Sequence, residues 1–346
     1  MNRGLPCLLA CAFLLFITSG LSSVNAQNYT CSMIESVSEI NFVENNASNF
    51  VIFAEDSHND NLINRQYVFD YLVSVNKYGY NQLVLEAGVA YEYVSRLNDT
   101  IAISGLVGPQ NYSFLKKTLL YNQENKDTPI NIRGIDVETY PPFALSVLDF
   151  ILDKYASKPN ELNMLHLAIE KISLIIAKEG QSDSIKELSI KIKQYQPKSA
   201  GVLSKTDSTY FFKISDNLRV GALFNFKDWG LREKHIFQNI ELINNESDRK
   251  SVILIGSQHV DKKVYRNTPT FYTMMLKNGI LNPETDSAPI IIFKKGENTP
   301  ERLGLYKIPK RDKKYMIEYI TQNSGLNYCS STKIDKPTIG YLFYEQ

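Results

Sequence analysis

The sequence predicts an α/β fold of three layers, a mainly parallel central sheet with helices on both faces and a helical insertion. Three observations carry that expectation. Short apolar runs rich in β-branched and aromatic residues alternate with helical periods along most of the chain. Four of those runs, at about 50–54, 82–85, 130–135 and 251–255, end at an acid or just before a histidine. Between 160 and 197 two amphipathic periods follow one another with no strand between them, which marks the insertion at about 156–200.

The N-terminus is excluded from the fold. Arg3 supplies a positive start, residues 5–16 form an apolar stretch, and Val24-Asn25-Ala26 places small residues for cleavage before Gln27. The stretch falls short of the roughly 20 residues that span a bilayer. Residues 1–26 are therefore expected to be a signal peptide, and 27–346 a single exported domain, periplasmic or extracellular, with no stable membrane span. Lipoprotein anchoring at Cys11, after Leu8-Leu9-Ala10, is the weaker alternative because the apolar stretch continues past it. Cleavage would remove Cys7 and Cys11 and leave Cys31 and Cys329, one near each end. In an oxidising compartment that pair is expected to form a disulfide. With 38 basic and 37 acidic side chains, no charge excess points to nucleic acid, and 43% hydrophobic residues suffice for an ordinary core.

The elements follow in order. Residues 50–53 read as a buried strand, stopped at Glu55. Asp56, Ser57, Asn59 and Asp60 then supply turn and cap chemistry before a helix whose face is Ile63, Tyr67 and Tyr71. The run 82–85 ends in Glu86, and Ala87-Gly88 leads to a short helix at 91–97. A helix at 111–121 precedes the strand that ends in Asp136. Pro141-Pro142 opens the next helix, with Phe143, Val147 and Ile151 on its apolar face. In the insertion, Asn160 caps a helix carrying Leu162, Leu165, Ile169, Ile172 and Ile176. Ser184 and Glu187 form a capping-box pattern for its successor, which is expected to end at Pro197. His166 reads as an ordinary solvated or packed histidine. Residues 201–226 read as loop and irregular helix. A helix at 229–242, the strand 251–255, a helix at 272–277, a strand at 289–293, a helix at 315–322 and a strand near 339–343 complete the chain.

If the four strands are parallel neighbours, Glu55, His58, Glu86, Asp136 and His259 converge at the carboxyl edge of the sheet, where open α/β sheets bind ligands. Two of the four histidines lie just past strand ends. Read one at a time, Glu55 is equally a helix cap, Glu86 a turn acid, Asp136 a partner for Arg133, and Arg232 a solvated charge. Together they permit two chemistries. A histidine oriented by a carboxylate can act as general base on water, with the second histidine or Arg232 polarising a carbonyl. Alternatively Glu55, His58, Glu86 and His259 bind a divalent metal that acidifies its water. No Gly-x-Ser-x-Gly elbow or phosphate-cradling glycine loop occurs.

The ordered set resembles the erythromycin esterase-like proteins and their wider relatives, the TraB, ChaN and Tiki group. It comprises Ala54-Glu55-Asp56-Ser57-His58, Glu86, Gly134-Ile135-Asp136, Arg232-Glu233 through Asn239, and Gly256-Ser257-Gln258-His259. The match runs from about residue 50 to 295. The resemblance implies His58 as general base for water, Glu55 and Glu86 as its carboxylate partners, a small-molecule substrate, and the insertion as the counterpart of helices covering the esterase cleft. The departures are Gly256 where the esterases carry a histidine, Ala54 for the usual glycine, and Ile236 where methionine is common. Gly-x-x-His is closer to the TraB, ChaN and Tiki pattern. It keeps a metal-dependent peptidase or a haem- or iron-binding protein as alternatives to an ester hydrolase.

Overall fold

The structure is a computed structural model. It describes residues 28–40, 49–57, 61–155, 160–179, 182–199, 202–223, 228–246, 250–261, 264–265, 268–282, 289–306, 308–331 and 339–345. The expected signal segment 1–26 and His58 lie outside the described residues.

Ten described strands form one eight-stranded sheet and a small two-stranded ribbon. The strands are β1 (Tyr29–Ile34), β2 (Phe50–Glu55), β3 (Tyr80–Leu85), β4 (Asn131–Gly134), β5 (Lys250–Gly256), β6 (Val264–Tyr265), β7 (Thr268–Pro269), β8 (Ile290–Lys294), β9 (Leu326–Ser331) and β10 (Gly340–Tyr344). The large sheet has the order β1-β9-β10-β8-β2-β5-β3-β4. From β10 to β4 every pairing is parallel. β9 pairs antiparallel with both β10 and β1 at the far edge. There Cys31 stands directly opposite Cys329, and the two are joined by the expected disulfide.

Side chains of the central strands alternate between two cores, as a period of two demands. Val51, Phe53, Leu83, Leu85, Val252 and Leu254 belong to one. Phe50, Ile52, Ala54, Val84, Ile253 and Ile255 belong to the other. Each fully buried side chain of this size contributes roughly 1.5–3 kcal/mol. Stability therefore resides in the two faces, and the rim of the sheet is free to hold polar groups that add little.

The first core is covered by α1 (Asn61–Val75), α2 (Val89–Ser95), α3 (Thr100–Leu106), α4 (Pro109–Glu124), α5 (Pro141–Asp153), α6 (Asn160–Glu179), α7 (Ser182–Ser199) and α8 (Lys205–Leu223). The second is covered by α9 (Trp229–Asn245), the short turn α10 (Gln258–Asp261), α11 (Phe271–Lys277), α12 (Thr299–Gly304) and α13 (Lys310–Gln322).

Several boundaries differ from the sequence expectation. α7 continues through Pro197 to Ser199 rather than stopping at the proline. β1, β9, α3 and α12 were not expected at all. The largest correction is α8, a helix of 19 residues where loop and irregular helix were expected. Its buried face carries Asp207, Ser215 and Asn217 among the apolar residues, which spoils the 3.6-residue pattern. Each polar group is satisfied by another element. Asp207 accepts hydrogen bonds from Tyr93 and Tyr155, both at 2.7 Å, and pairs with Lys154 at 3.3 Å. The Ser189 hydroxyl of α7 donates to the Ser215 carbonyl at 2.9 Å.

Candidate active site

β2, β5, β3 and β4 are consecutive and parallel, so their carboxyl ends share one rim. Glu55 closes β2, Glu86 directly follows β3, Asp136 follows β4, and His259 lies on the turn after β5. α9 precedes β5 and runs back against the sheet, so it begins at this rim. Asp228 caps it by accepting from the Leu231 N–H at 3.1 Å. That places Arg232 at the end of its first turn and Glu233 at the start of its second.

Arg232 joins two strand ends. Its Nη2 donates to Glu86 Oε1 and to Asp136 Oδ2, each at 2.5 Å, and its Nε donates to Asp136 Oδ1 at 3.0 Å. The guanidinium lies 4.8 Å from the centre of the Trp229 ring, a cation–π distance. Glu86 is held from three sides. Besides Arg232, it accepts the Gly256 backbone N–H at 2.6 Å, and its Oε1 lies 3.2 Å from His259 Nε2. The other His259 nitrogen, Nδ1, is 2.7 Å from Glu233 Oε1. His259 is 2% exposed and Glu233 1%. Burial alone would lower the histidine pKa. The charges of Glu86 and Glu233 and their hydrogen bonds outweigh it and hold the pKa at about 10. His259 is therefore an imidazolium at neutral pH, with Nε2 hydrogen-bonded to Glu86 and Nδ1 in close ion-pair contact with Glu233.

Four of the six site residues expected from sequence, Glu86, Asp136, Arg232 and His259, thus form one buried network. Asp136 pairs with Arg232 and not with Arg133, which reaches Glu92 at 3.3 Å and Glu246 at 2.5 Å instead. Glu55 accepts from Asn64 Nδ2 of α1 at 3.0 Å. By strand alternation it lies on the α1 face, whereas Glu86 lies on the α9 face. His166 pairs with Asp149 at 3.1 Å on the half-exposed surface, as expected of an ordinary histidine.

Sequence reasoning assigned no role to Glu233, yet the helix pattern carried a hint. Glu233 shares the buried stripe of Ile236, Phe237, Ile240 and Ile243. A charge on an apolar stripe asks for a buried partner. Tyr306 was also missed. Its hydroxyl lies 2.7 Å from Asp56 Oδ1 and 2.9 Å from Ser257 Oγ, and Asp56 also pairs with Arg302.

A second polar group flanks the first. Asn217 of α8 donates from Nδ2 to the Asp136 carbonyl at 2.9 Å and to Glu138 Oε1 at 3.2 Å. Its Oδ1 then faces His235 Nε2 at 2.9 Å, and burial holds the His235 pKa below the ordinary value. Glu138 also accepts the Ala90 N–H at 2.9 Å; burial nonetheless pushes its pKa up to about 7. Gly88 and Gly134 permit this packing. A Cβ on Gly134 would lie 2.3 Å from the Gly88 carbonyl oxygen, and one on Gly88 would lie 2.1 Å from the Glu138 carboxylate. Asn217, His235 and Asn239 line a cleft of about 610 Å³ beside β4, with Glu92, Arg133 and Phe212 on its other sides.

Among the described residues no group of three His, Cys, Asp or Glu side chains is arranged to hold a metal ion. Glu86 and His259 are turned toward each other, Arg232, Glu233 and the Gly256 N–H. No helix among the described residues is long and apolar enough to cross a membrane.

No family model matches the chain, and no curated protein does. Three solved structures are similar to it. A Bacillus cereus protein shares 11% identity over 91% of this chain and 94% of that one, with a TM-score of 0.51. A mutant erythromycin esterase in its open conformation shares 13% identity over 87% and 91%, with a TM-score of 0.48. A succinoglycan biosynthesis protein shares 11% identity over 86% and 88%, with a TM-score of 0.49. At this level of identity the likeness to the Bacillus cereus protein concerns the fold alone. It extends along nearly the whole chain.

Proposed function

We propose that this chain is an exported hydrolase of the erythromycin esterase-like kind, which activates water against an ester or related carbonyl bond of a small molecule. One observation carries the reading. Glu86, Asp136 and His259 follow three separate strands, Arg232 and Glu233 lie near the start of one helix, and all five meet in a single buried charge network at the carboxyl rim. Buried ion pairs contribute little to stability compared with apolar groups of similar size. Four of them at a ligand-binding edge favour a chemical role.

The roles follow from the contacts. His259 is protonated and held between the carboxylates of Glu86 and Glu233, so it serves neither as base nor as oxyanion donor. It is a positioning residue that, with Arg232 and the Gly256 N–H, fixes the Glu86 carboxylate. The base is then assigned to His58 on the ordered motif. In this scheme His58 takes a proton from water, the hydroxide attacks the carbonyl carbon, and the tetrahedral intermediate collapses. The acyl–oxygen bond breaks and His58 returns the proton to the leaving alkoxide. Glu55 and Glu86 orient the base from either side of the rim. Export is supported by the N-terminal pattern and by the disulfide between Cys31 and Cys329.

The test is hydrolysis of an ester panel by the mature protein, as wild type and His58→Ala, each with and without chelator. The metal-free mechanism expects activity that the substitution abolishes and the chelator spares. Activity lost to the chelator would move the site to the metal class. No activity in a folded wild type would overturn the assignment and make haem titration the next measurement.

A further inference from the structure

Arg65 is buried at the same rim without a counter-ion among the described residues. It lies in the second turn of α1, the helix that follows β2, and is 9% exposed. Its Nη1 donates to the Tyr91 hydroxyl at 3.1 Å and to Asn111 Oδ1 at 2.5 Å, and the guanidinium packs 5.0 Å from the centre of the Tyr91 ring. Those two bonds use both Nη1 hydrogens. Nε is buried with no acceptor, and among the described residues the guanidinium's hydrogen bonds are those of Nη1. Three of the five guanidinium donors are thus unmatched.

None of its neighbours neutralises it. Burial pushes the Tyr91 hydroxyl above its ordinary value, with Arg65 only partly opposing, so the phenol stays uncharged. Asn111 is neutral. Among the described residues the neighbouring acids are committed elsewhere: Glu55 to Asn64, Asp56 to Arg302, Asp70 to Lys117, and Glu92 to Arg96, Arg133 and Tyr210. An arginine is rarely buried this deeply unless paired. A buried polar group left without a partner calls for an absent ligand or a functional reason.

We infer that Arg65 is the core of an anion-binding site, whose unmatched Nε and Nη2 edge takes the two oxygens of a carboxylate or phosphoryl group. That edge presents two parallel N–H donors at the spacing of such an oxyanion, the geometry of bidentate recognition. Tyr91 and Asn111 act as the fixed seat. They hold Nη1 from the far side and leave the guanidinium little freedom to turn. α1 and α2 follow β2 and β3, and α4 leads into β4. All three elements therefore bring this seat to the rim that carries Glu55 and Glu86. The inference goes beyond the hydrolytic reading and does not depend on it, because binding is measured without turnover.

The experiment is calorimetric titration of the mature protein with inorganic phosphate and with succinate, against chloride at matched ionic strength. Wild type, Arg65→Met and Arg65→Lys are compared, with folding checked by circular dichroism. Saturable binding of at least one oxyanion is expected in the wild type, and none in Arg65→Met. Arg65→Lys keeps the charge but not the two-donor edge, and is expected to bind at least about tenfold more weakly, the loss of one charge-assisted bond. Binding of phosphate alone or of succinate alone assigns the phosphoryl or the carboxylate class. No saturable binding beyond chloride, or equal binding by Arg65→Met, overturns the inference. Should Arg65→Met not fold, undiminished binding by Arg65→Lys overturns it as well.

Discussion

Replacing Glu233 by glutamine tests the charge network with little change of shape. Glu233 Oε1 lies 2.7 Å from His259 Nδ1, and its Oε2 accepts the Phe271 N–H at 2.7 Å. An amide can keep the second bond through its oxygen but carries no charge for the first. Holding a histidine at about 10 instead of 6.5 corresponds to about 5 kcal/mol of preference for the imidazolium, shared between Glu86 and Glu233. Removing one partner of a buried pair costs about 3–5 kcal/mol, and Glu86 remains, so about 3 kcal/mol is expected. The pH dependence has a definite sign. A raised histidine pKa contributes stability that is fully present below 6.5 and is lost as pH rises through about 10. In Glu233→Gln the histidine pKa falls, so that stability is lost at lower pH. The difference between the proteins is therefore greatest near pH 6 and shrinks toward pH 10. Urea unfolding at pH 6, 8 and 10 measures it, and the imidazole NMR titration follows His259 directly. A difference below about 1 kcal/mol at pH 6, typical of an exposed pair, would refute the reasoning. So would a His259 that titrates near 6.5 in the wild type.

Two further perturbations probe the surroundings. Glu138 has its pKa raised from 4.5 to about 7 by burial, so the folded state binds a proton that the unfolded state has released. Stability falls as pH rises between those values; Glu138→Gln removes the charge and should unfold at higher temperature at pH 8, by up to about 3 kcal/mol, with little change at pH 4. An unchanged melting temperature at pH 8 would count against a buried Glu138 charge. The disulfide closes a loop across a sequence separation of 298, and its reduction or the double Cys31→Ser, Cys329→Ser change should lower stability by about 2–5 kcal/mol. Melting with and without reductant reads this directly; identical curves with fully reduced thiols would show that the flanking β1–β9 pairing suffices.

What could be read from the sequence divides along a physical line. The strand ends carrying Glu55, Glu86, Asp136 and His259 were legible because a parallel strand buried on both faces must be a continuous apolar run. The first charged residue after it then marks the rim. Their adjacency followed only from the sheet order, which no local pattern encodes. α8 was illegible for the opposite reason. Asp207, Ser215 and Asn217 occupy positions where an isolated helix would show apolar residues, and their partners lie on other elements. Arg65 escaped notice likewise, since one arginine on a helix reads as solvated until its burial is seen. β1 and β9 were missed because they form the exposed antiparallel edge, where short mixed sequences such as Tyr29–Ile34 lack the apolar run of a central strand.

The two glutamates at the rim show why adjacency of strands is not the same as adjacency of side chains. Glu55 is in register with Gly256, and Leu85 with Leu254, so Glu86 stands one residue below Glu55 across the intervening strand. With a side-chain period of two, that offset sends Glu55 to the α1 face and Glu86 to the α9 face. Asn64 on one side, and Arg232 with His259 on the other, hold the two acids accordingly. Gly256 sits between them with no side chain to close the rim, and its N–H is already directed to Glu86. A base that is to meet both carboxylates must therefore reach over the end of β5 rather than lie on either face.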